Sequence, residues 1–251
     1  MNIFYKKKLI IGDNIYLIEK IANILENKHL NQYADFSYAC SPETFKELPL
    51  NPKIEFFHID VNTDIKTLVD KFDLIISAHC KQIFPAELVT KVKCINIHPG
   101  FNPYNRGWYP HVFSIINKFP TGVTIHEMDE KVDHGSIIIQ RQVEIFSFDT
   151  SDTVYKRILD AELDIFSEVI EKILYNDYHT YTLEEEGNIN KKKDFQKIRQ
   201  IELEKLYSGR EIIDLLRALT HGDYQNAYFI DDENNKIFIR LTLEPEEVVK
   251  E

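Results

Sequence analysis

The sequence predicts an α/β fold: a mostly parallel sheet flanked by helices, with a small C-terminal appendage of one helix and a β-hairpin. Three observations predict it. From Leu9 to Asn176, short apolar strands alternate with segments of helical periodicity. Residues 177–207 are polar, with charge runs at Glu184–Glu186 and Lys191–Lys193, and read as a connecting segment. Beyond them an amphipathic stretch opens at Ser208, and two short apolar runs flank Asp231-Asp-Glu-Asn-Asn235, the pattern of a hairpin with a long turn.

In order, Leu9-Ile-Ile-Gly12 is a first strand, and Leu17, Ile18, Ile21, Ile24 and Leu25 then recur at helical spacing. Phe36–Cys40 is a second strand, followed by Ser41 as N-cap and Pro42 as first helical residue. Ile54–Ile59 and Leu74–Ser77 read as strands around a short helix near 63–72. Val92-Lys-Cys-Ile95 runs as a strand into Asn96 and His98; 110–118 is helical, and Thr121–Ile125 and Ser136–Ile145 are later strands. A long helix spans about 151–176, with Val154, Ile158, Ala161, Ile165 and Val169 as its core stripe. Ser208-Gly-Arg-Glu211 has the spacing of a capping box, and the helix it opens carries Ile212, Ile213, Leu216 and Leu219 before His221-Gly222 ends it. Ala227–Ile230 and Lys236–Leu241 form the hairpin. The expected units are 1–176, a connector over 177–207, and 208–251.

With 41 acidic and 30 basic residues the formal net charge is −11, the wrong balance for a nucleic-acid partner. Lys6–Lys8 and Lys191–Lys193 read as solvated surface runs. No apolar run is long enough to span a bilayer, and the short apolar stretch near the N-terminus is too brief for a signal-peptide core, so a cytoplasmic protein is expected. Cys40, Cys80 and Cys94 lack metal-ligand spacing and read as buried free thiols, so no metal site is expected.

Chemistry concentrates at Ile95-Asn-Ile-His-Pro-Gly-Phe-Asn-Pro-Tyr-Asn-Arg-Gly107. Asn96 and His98, two apart in a strand, share a face, and Pro99-Gly100 stops the strand there. Ligands of open α/β sheets bind at that edge. A second strand from Gly122 to Asp129 leads into a turn that delivers Asp133 beside Gly135. An imidazole, a carboxamide and a carboxylate thus converge, which suits general acid–base work with oxyanion stabilisation.

The pattern Asn96-x-His98-Pro, Arg106-Gly107, Gly122-Val-Thr-Ile-His126 and Asp133-x-Gly135 resembles the folate-dependent formyltransferases, over roughly residues 8–175 and most sharply over 92–140. The resemblance implies a Rossmann-like sheet, N10-formyltetrahydrofolate as cosubstrate without a metal, and Asn96, His98 and Asp133 as the catalytic trio. It also implies that Lys81, Gln82, Ile83 and Phe84, with Asp129 and Glu130, wall the folate pocket; the other reading of this group is an ordinary βα loop. His79, His126 and His134 read as structural or supporting.

Among acceptors, the sequence is most similar to the dTDP-amino-sugar N-formyltransferases of surface polysaccharide biosynthesis, with a 3-amino-3,6-dideoxyhexose favoured. Asn102, Tyr104, Arg106, Gly107, Trp108 and Tyr224 are then the substrate residues. Arg106 pairs with the diphosphate or with a surface acid, Trp108 packs on the sugar or anchors the core, and Tyr224 stacks on thymine. The resemblance also implies a homodimer and a cis peptide at Asn102-Pro103. A UDP-amino sugar, another amine, or hydrolysis of formylfolate are the alternative activities.

Overall fold

In the computed structural model, which describes residues 3–48 and 52–246, β1 (Lys7–Ile11), β2 (Asp35–Cys40), β3 (Phe57–His58), β4 (Leu74–Ala78) and β5 (Lys93–His98) pair in parallel. β7 (Thr121–Glu127) and β8 (Ile137–Val143) add to them antiparallel, giving one seven-stranded sheet of order β3-β2-β1-β4-β5-β7-β8. Two small two-stranded ladders complete the strands: β6 (Arg106–Gly107) with β9 (Ile189–Asn190), and the hairpin β10 (Ala227–Ile230) with β11 (Lys236–Ile239).

The helices are α1 (Ile15–Asn27), α2 (Pro42–Lys46), α3 (Ile65–Lys71), α4 (Ala86–Lys91), α5 (Pro110–Asn117), α6 (Ser151–Tyr175), α7 (Lys192–Ile198) and α8 (Gly209–Leu219). Their starts follow the expected chemistry. Ser41 accepts from the Thr44 amide with Pro42 at the first helical position, and Ser208 and Glu211 form a reciprocal capping box. The core stripe of α6, Val154, Ile158, Ala161, Ile165 and Val169, is buried as its spacing required. The core divides in two. One apolar cluster joins α1, α5, α6 and α8 to one face of the sheet; Leu68 and Leu88 of α3 and α4 join Leu9, Ile11 and Ile75 on the other.

Several expectations need correction. The strand expected over 54–59 shortens to two residues at the sheet edge, where only Phe57 and His58 pair with β2. Helix α4 was not foreseen; its six residues are too few to show a helical period. Helix α8 closes at Leu219, two residues before the expected His221-Gly222 stop, because the Thr220 amide already bonds back to the Arg217 carbonyl. The lysine run Lys6–Lys8 is not uniformly solvated. Strand alternation turns Lys8 inward, where its ammonium donates to the Lys6 carbonyl and lies 5.0 Å from the Phe36 ring centre; burial pushes it down to about 8. Residues 177–207 are more than a connector: β9, α7 and buried Phe195 and Ile201 are built from them. Of the unit expected over 208–251, residues 247–251 lie outside the described part. No helix among the described residues is long and apolar enough to cross a membrane.

Phe166 on α6 is 1% exposed, so truncating it leaves a cavity between helix and sheet. Phe166→Ala is expected to cost roughly 3–5 kcal/mol in chemical denaturation. A loss below ~1 kcal/mol would contradict the packing described.

Candidate active site

The sheet order reverses at β1, from which the chain runs outward to β3 and returns to β4. Open sheets leave a crevice beyond the strand ends at such a point. Here the carboxyl ends of β4 and β5 form the floor of a cleft of about 480 Å³, within the range of small-molecule sites. Asn96, His98 and Asp133 all line it, together with His79, Trp108 and Tyr155.

Asp133 sits at the junction. Its backbone is left-handed (φ 48°), and Gly135 two residues on passes so close to the Glu127 carbonyl that a Cβ would lie 1.8 Å from that oxygen. Only glycine fits there. The turn aims the carboxylate at two donors, Asn96 Nδ2 to Oδ1 at 3.0 Å and the Gly107 amide to Oδ2 at 2.9 Å, and sets Oδ2 3.5 Å from His98 Nδ1. The carboxylate beside Nδ1 favours the tautomer with the proton on Nδ1, which leaves the Nε2 lone pair free. Nε2 is buried without a protein partner. Burial pushes the His98 imidazole down to about 4 although Asp133 pulls it up, so it is neutral at pH 7. Asn96 Nδ2 also lies 3.4 Å from His126 Nε2. His126 itself is buried and tied by Nδ1 to the Glu127 carbonyl at 2.7 Å, which fixes Nε2 as an acceptor.

The loop from Pro99 to Gly107 is held from below. Asn102-Pro103 is cis, as expected. Asn102 donates to the Asp133 carbonyl at 2.8 Å, and its amide bonds Thr124 Oγ1 at 3.1 Å. Tyr104 donates to Glu185 at 3.2 Å. Buried Arg106 lies 3.7 Å from Glu186. Asn102, Tyr104 and Arg106 therefore position the loop from outside the cleft wall, whereas Gly107 and Trp108 reach it. Lys81, Gln82, Ile83, Phe84, Asp129 and Glu130 all line the same cleft. His134 is paired with Asp129 at 2.7 Å. Tyr224 is 69% exposed and does not line the cleft; it is the outer end of a row of rings running through His221 and Tyr155 to His79.

Sequence reasoning missed part of the wall. Tyr155 and His111 enter from α6 and α5, and Ile189–Lys192 cross from the segment read as a connector. Asn105, fully buried with φ 52°, explains that crossing: its side chain accepts from Asn117, Asn188 and Asn190, which pins the segment on the loop. The asparagines near 188–190 were the one available signal. Lys191 and Lys192 are exposed, as a solvated run should be, yet both face the cleft, with Lys192 Nζ 5.4 Å from the Trp108 ring centre. Cys40 and Cys94 are buried thiols and Cys80 is partly buried; no metal-holding cluster occurs among the described residues.

The arrangement supplies a neutral imidazole with a bare Nε2, an amide N–H beside it, and apolar wall from Ile83, Phe84, Met128 and Trp108 for a flat ring system. It suits acyl transfer between nitrogens. Comparison with known proteins agrees. Residues 43–170 match the family described as formyl transferase, and residues 194–245 match the N-formyltransferase dimerization C-terminal domain. The chain is 42% identical to the dTDP-4-amino-4,6-dideoxyglucose formyltransferase of Mycobacterium tuberculosis, over 95% of this chain and 97% of that protein. It superimposes on a 4-N formyltransferase from Francisella tularensis with TM-score 0.89 and 44% identity, covering 96% of this chain and 98% of that one. A sugar N-formyltransferase from a Shewanella species gives TM-score 0.89 at 41% identity, with 96% and 98% covered.

Two predictions follow from the geometry. A Cβ on Gly100 would lie 2.3 Å from His98 Nε2. Gly100→Ala is expected to displace the imidazole and lower turnover by about 10²-fold or more while circular dichroism stays native; unchanged turnover would show that the ring is not confined. Burial also holds His98 at about 4 and His111 at about 3, below the ordinary 6.5. The unfolded chain binds these protons first. The stability gained from keeping them neutral is therefore full above pH ~6.5 and lost as pH falls toward 4. His98→Asn should flatten the stability profile in that window, and an unchanged slope would contradict the burial argument.

Proposed function

The chain belongs to the formyl transferase family, and from that premise we propose that it moves the formyl group of N10-formyltetrahydrofolate to the 4-amine of a dTDP-linked 4-amino-4,6-dideoxy sugar. One observation carries the reading: a buried, neutral His98 whose Nε2 is bare, with Asn96 and Asp133 fixed beside it.

Formyl transfer requires an oxyanion to be stabilised and one proton to move from the attacking amine to the departing nitrogen. Asn96 has a second N–H, only weakly engaged at 3.4 Å from His126, available to the formyl oxygen. Such a preorganised donor contributes roughly 3 kcal/mol in acyl-transfer sites. His98 Nε2 takes the proton the amine sheds on attack and returns it to the leaving nitrogen. Asp133 holds the His98 tautomer that makes this possible and orients Asn96 at the same time. The wall of Lys81–Phe84, Asp129 and Glu130 receives the folate.

For the acceptor, sequence reasoning favoured an amine at C3. The similar proteins whose names specify a position, at 42% and 44% identity, are 4-amino-sugar and 4-N enzymes, which supports C4. Lys191 and Lys192 at the cleft mouth meet the diphosphate, while Arg106 holds the loop through Glu186. Tyr224, exposed beyond His221, takes the base. The chain acts as a homodimer through its C-terminal unit: residues 194–245 match a dimerization domain, and Ile213, Ile237 and Phe238 of that unit are exposed. A cytosolic role in supplying formylated sugars for surface polysaccharide completes the proposal.

Incubation with N10-formyltetrahydrofolate and a panel of dTDP-3-amino and dTDP-4-amino sugars, followed by mass spectrometry, tests the reading. Formylation of 4-amino sugars is expected. Formylation of 3-amino sugars alone would overturn the position, and consumption of formylfolate without an amine would overturn transferase activity. Asn96→Ala, His98→Asn and Asp133→Asn should each lower kcat by about 10²–10⁴-fold with little change in KM; near-normal kcat in two of them would overturn the trio.

A further inference from the structure

An amino sugar reaches the enzyme as an ammonium and must lose two protons in all, one before attack and one after. His98 Nε2 is engaged by the second, which it carries to the leaving nitrogen. Asp133 accepts one hydrogen bond on each oxygen, from Asn96 and from the Gly107 amide, with His98 Nδ1 3.5 Å away, and it must stay a carboxylate to hold all three in place. Protonating Asp133 would release the donors it positions, so a separate acceptor for the first proton keeps that geometry intact.

A second buried acid–base pair adjoins the cleft through His79, which lines it. Glu162 of α6 has a fully buried side chain; its Oε1 is 2.7 Å from His79 Nε2, and its Oε2 has no protein partner. A carboxylate buried this deeply is costly unless it is paired. His79 follows β4 directly, so parallel pairing sets it beside the His98 end of β5. It holds a left-handed backbone (φ 57°), a strained conformation for a side-chain-bearing residue that recurs at functional sites. Its Nδ1 is 3.1 Å from the Tyr155 hydroxyl, and that hydroxyl accepts from Asn14 Nδ2 at 3.0 Å. With Asn14 donating to it, Tyr155 directs its own proton to His79 Nδ1, and His79 Nε2–H then donates to Glu162. The hydrogen bonds form one directed chain, and His79 and Tyr155 both line the cleft.

We propose that His79, backed by Glu162, is the terminal acceptor of the proton that the sugar ammonium loses before attack, reached through the Tyr155 hydroxyl. The inference rests on the amino-sugar reading above. One ammonium N–H bond breaks as a Tyr155 O–H bond forms; the original Tyr155 O–H bond breaks as a His79 Nδ1–H bond forms. Each electron pair stays on the atom that gave up the proton. His79 becomes an imidazolium; burial pushes the Glu162 carboxyl up while His79 draws it down, and the charge on His79 is what keeps Glu162 a carboxylate that balances it. The proton returns to solvent by the same path after product leaves. The ionisable groups around His79 are Glu162 and Tyr155 from α6, His98 from β5, His111 from α5, Cys80 next in the chain, and Asp13, whose amide bonds the His79 carbonyl. Of these only Glu162 and Tyr155 bond the imidazole.

The test uses Glu162→Gln, which keeps an oxygen for Nε2–H, and Tyr155→Phe, which keeps the ring. With the full chain and an accepted amino sugar, kcat of each is expected to fall about 10²-fold near neutral pH, with KM within about twofold. The deficit should shrink steadily as pH rises toward the amine's own pKa, because a free amine needs no acceptor. A pH-independent deficit, or none, in Tyr155→Phe would overturn the proposal even if Glu162→Gln does not fold. A wild-type chain that formylates no amino sugar would overturn the functional reading and this step with it; wild-type turnover with a flat variant-to-wild-type ratio would overturn this step alone.

Discussion

Everything in the cleft turns on the hydrogen bonds received by one carboxylate. Asp133 collects Asn96 from β5, the Gly107 amide from β6 and the nearby His98 ring, while its own carbonyl receives Asn102. The strand end at 96–98 and the loop through 102 and 107 are thereby closed on one residue some thirty positions away. A largely buried carboxylate is tolerated only when donors satisfy it, so the same bonds that remove its desolvation cost also set the geometry. Removing the carboxylate would leave an amide, a carboxamide and an imidazole without their partner, each free to turn.

The fold supplies that carboxylate in the right place by combining two kinds of sheet. The parallel half ends β4 and β5 side by side, which puts His79 and His98 next to each other beside the switch in strand order between β1 and β4. The antiparallel half sends β7 back along β5 so that Asn96 faces His126, and the following turn returns Asp133 over the strand end. Outside this frame, Asn105 ties the loop from Pro99 to Gly107 to residues 188–190, and Arg106 ties it to Glu186. The loop is therefore fastened from beneath and from its outer side.

Much of this was legible in the sequence because it is local. Period-two alternation put Asn96 and His98 on one face, and Pro99-Gly100 marked the strand end. The glycine two residues after Asp133 signalled a turn, and the α6 stripe from Val154 to Val169 needed only helical spacing. What stayed hidden depends on long-range closure. Glu162 lies among buried apolar residues of α6 and reads like any helix glutamate until β4 brings His79 to it. The role of residues 189–192 rests on contacts with Asn105 some eighty positions away, for which a polar segment gives no periodic sign. Lys8 is a further case, since its inward turn follows from strand phase while its charge suggests solvent.

The central claim is that Asp133 fixes His98 as a neutral imidazole protonated on Nδ1, with Nε2 free for the reaction. Nitrogen-15 resonances of the His98 ring at neutral pH test it most directly. The account predicts a protonated Nδ1 and an unprotonated Nε2 in the wild-type chain, with this preference lost in Asp133→Asn. An imidazolium, or a ring protonated on Nε2 alone, would contradict it.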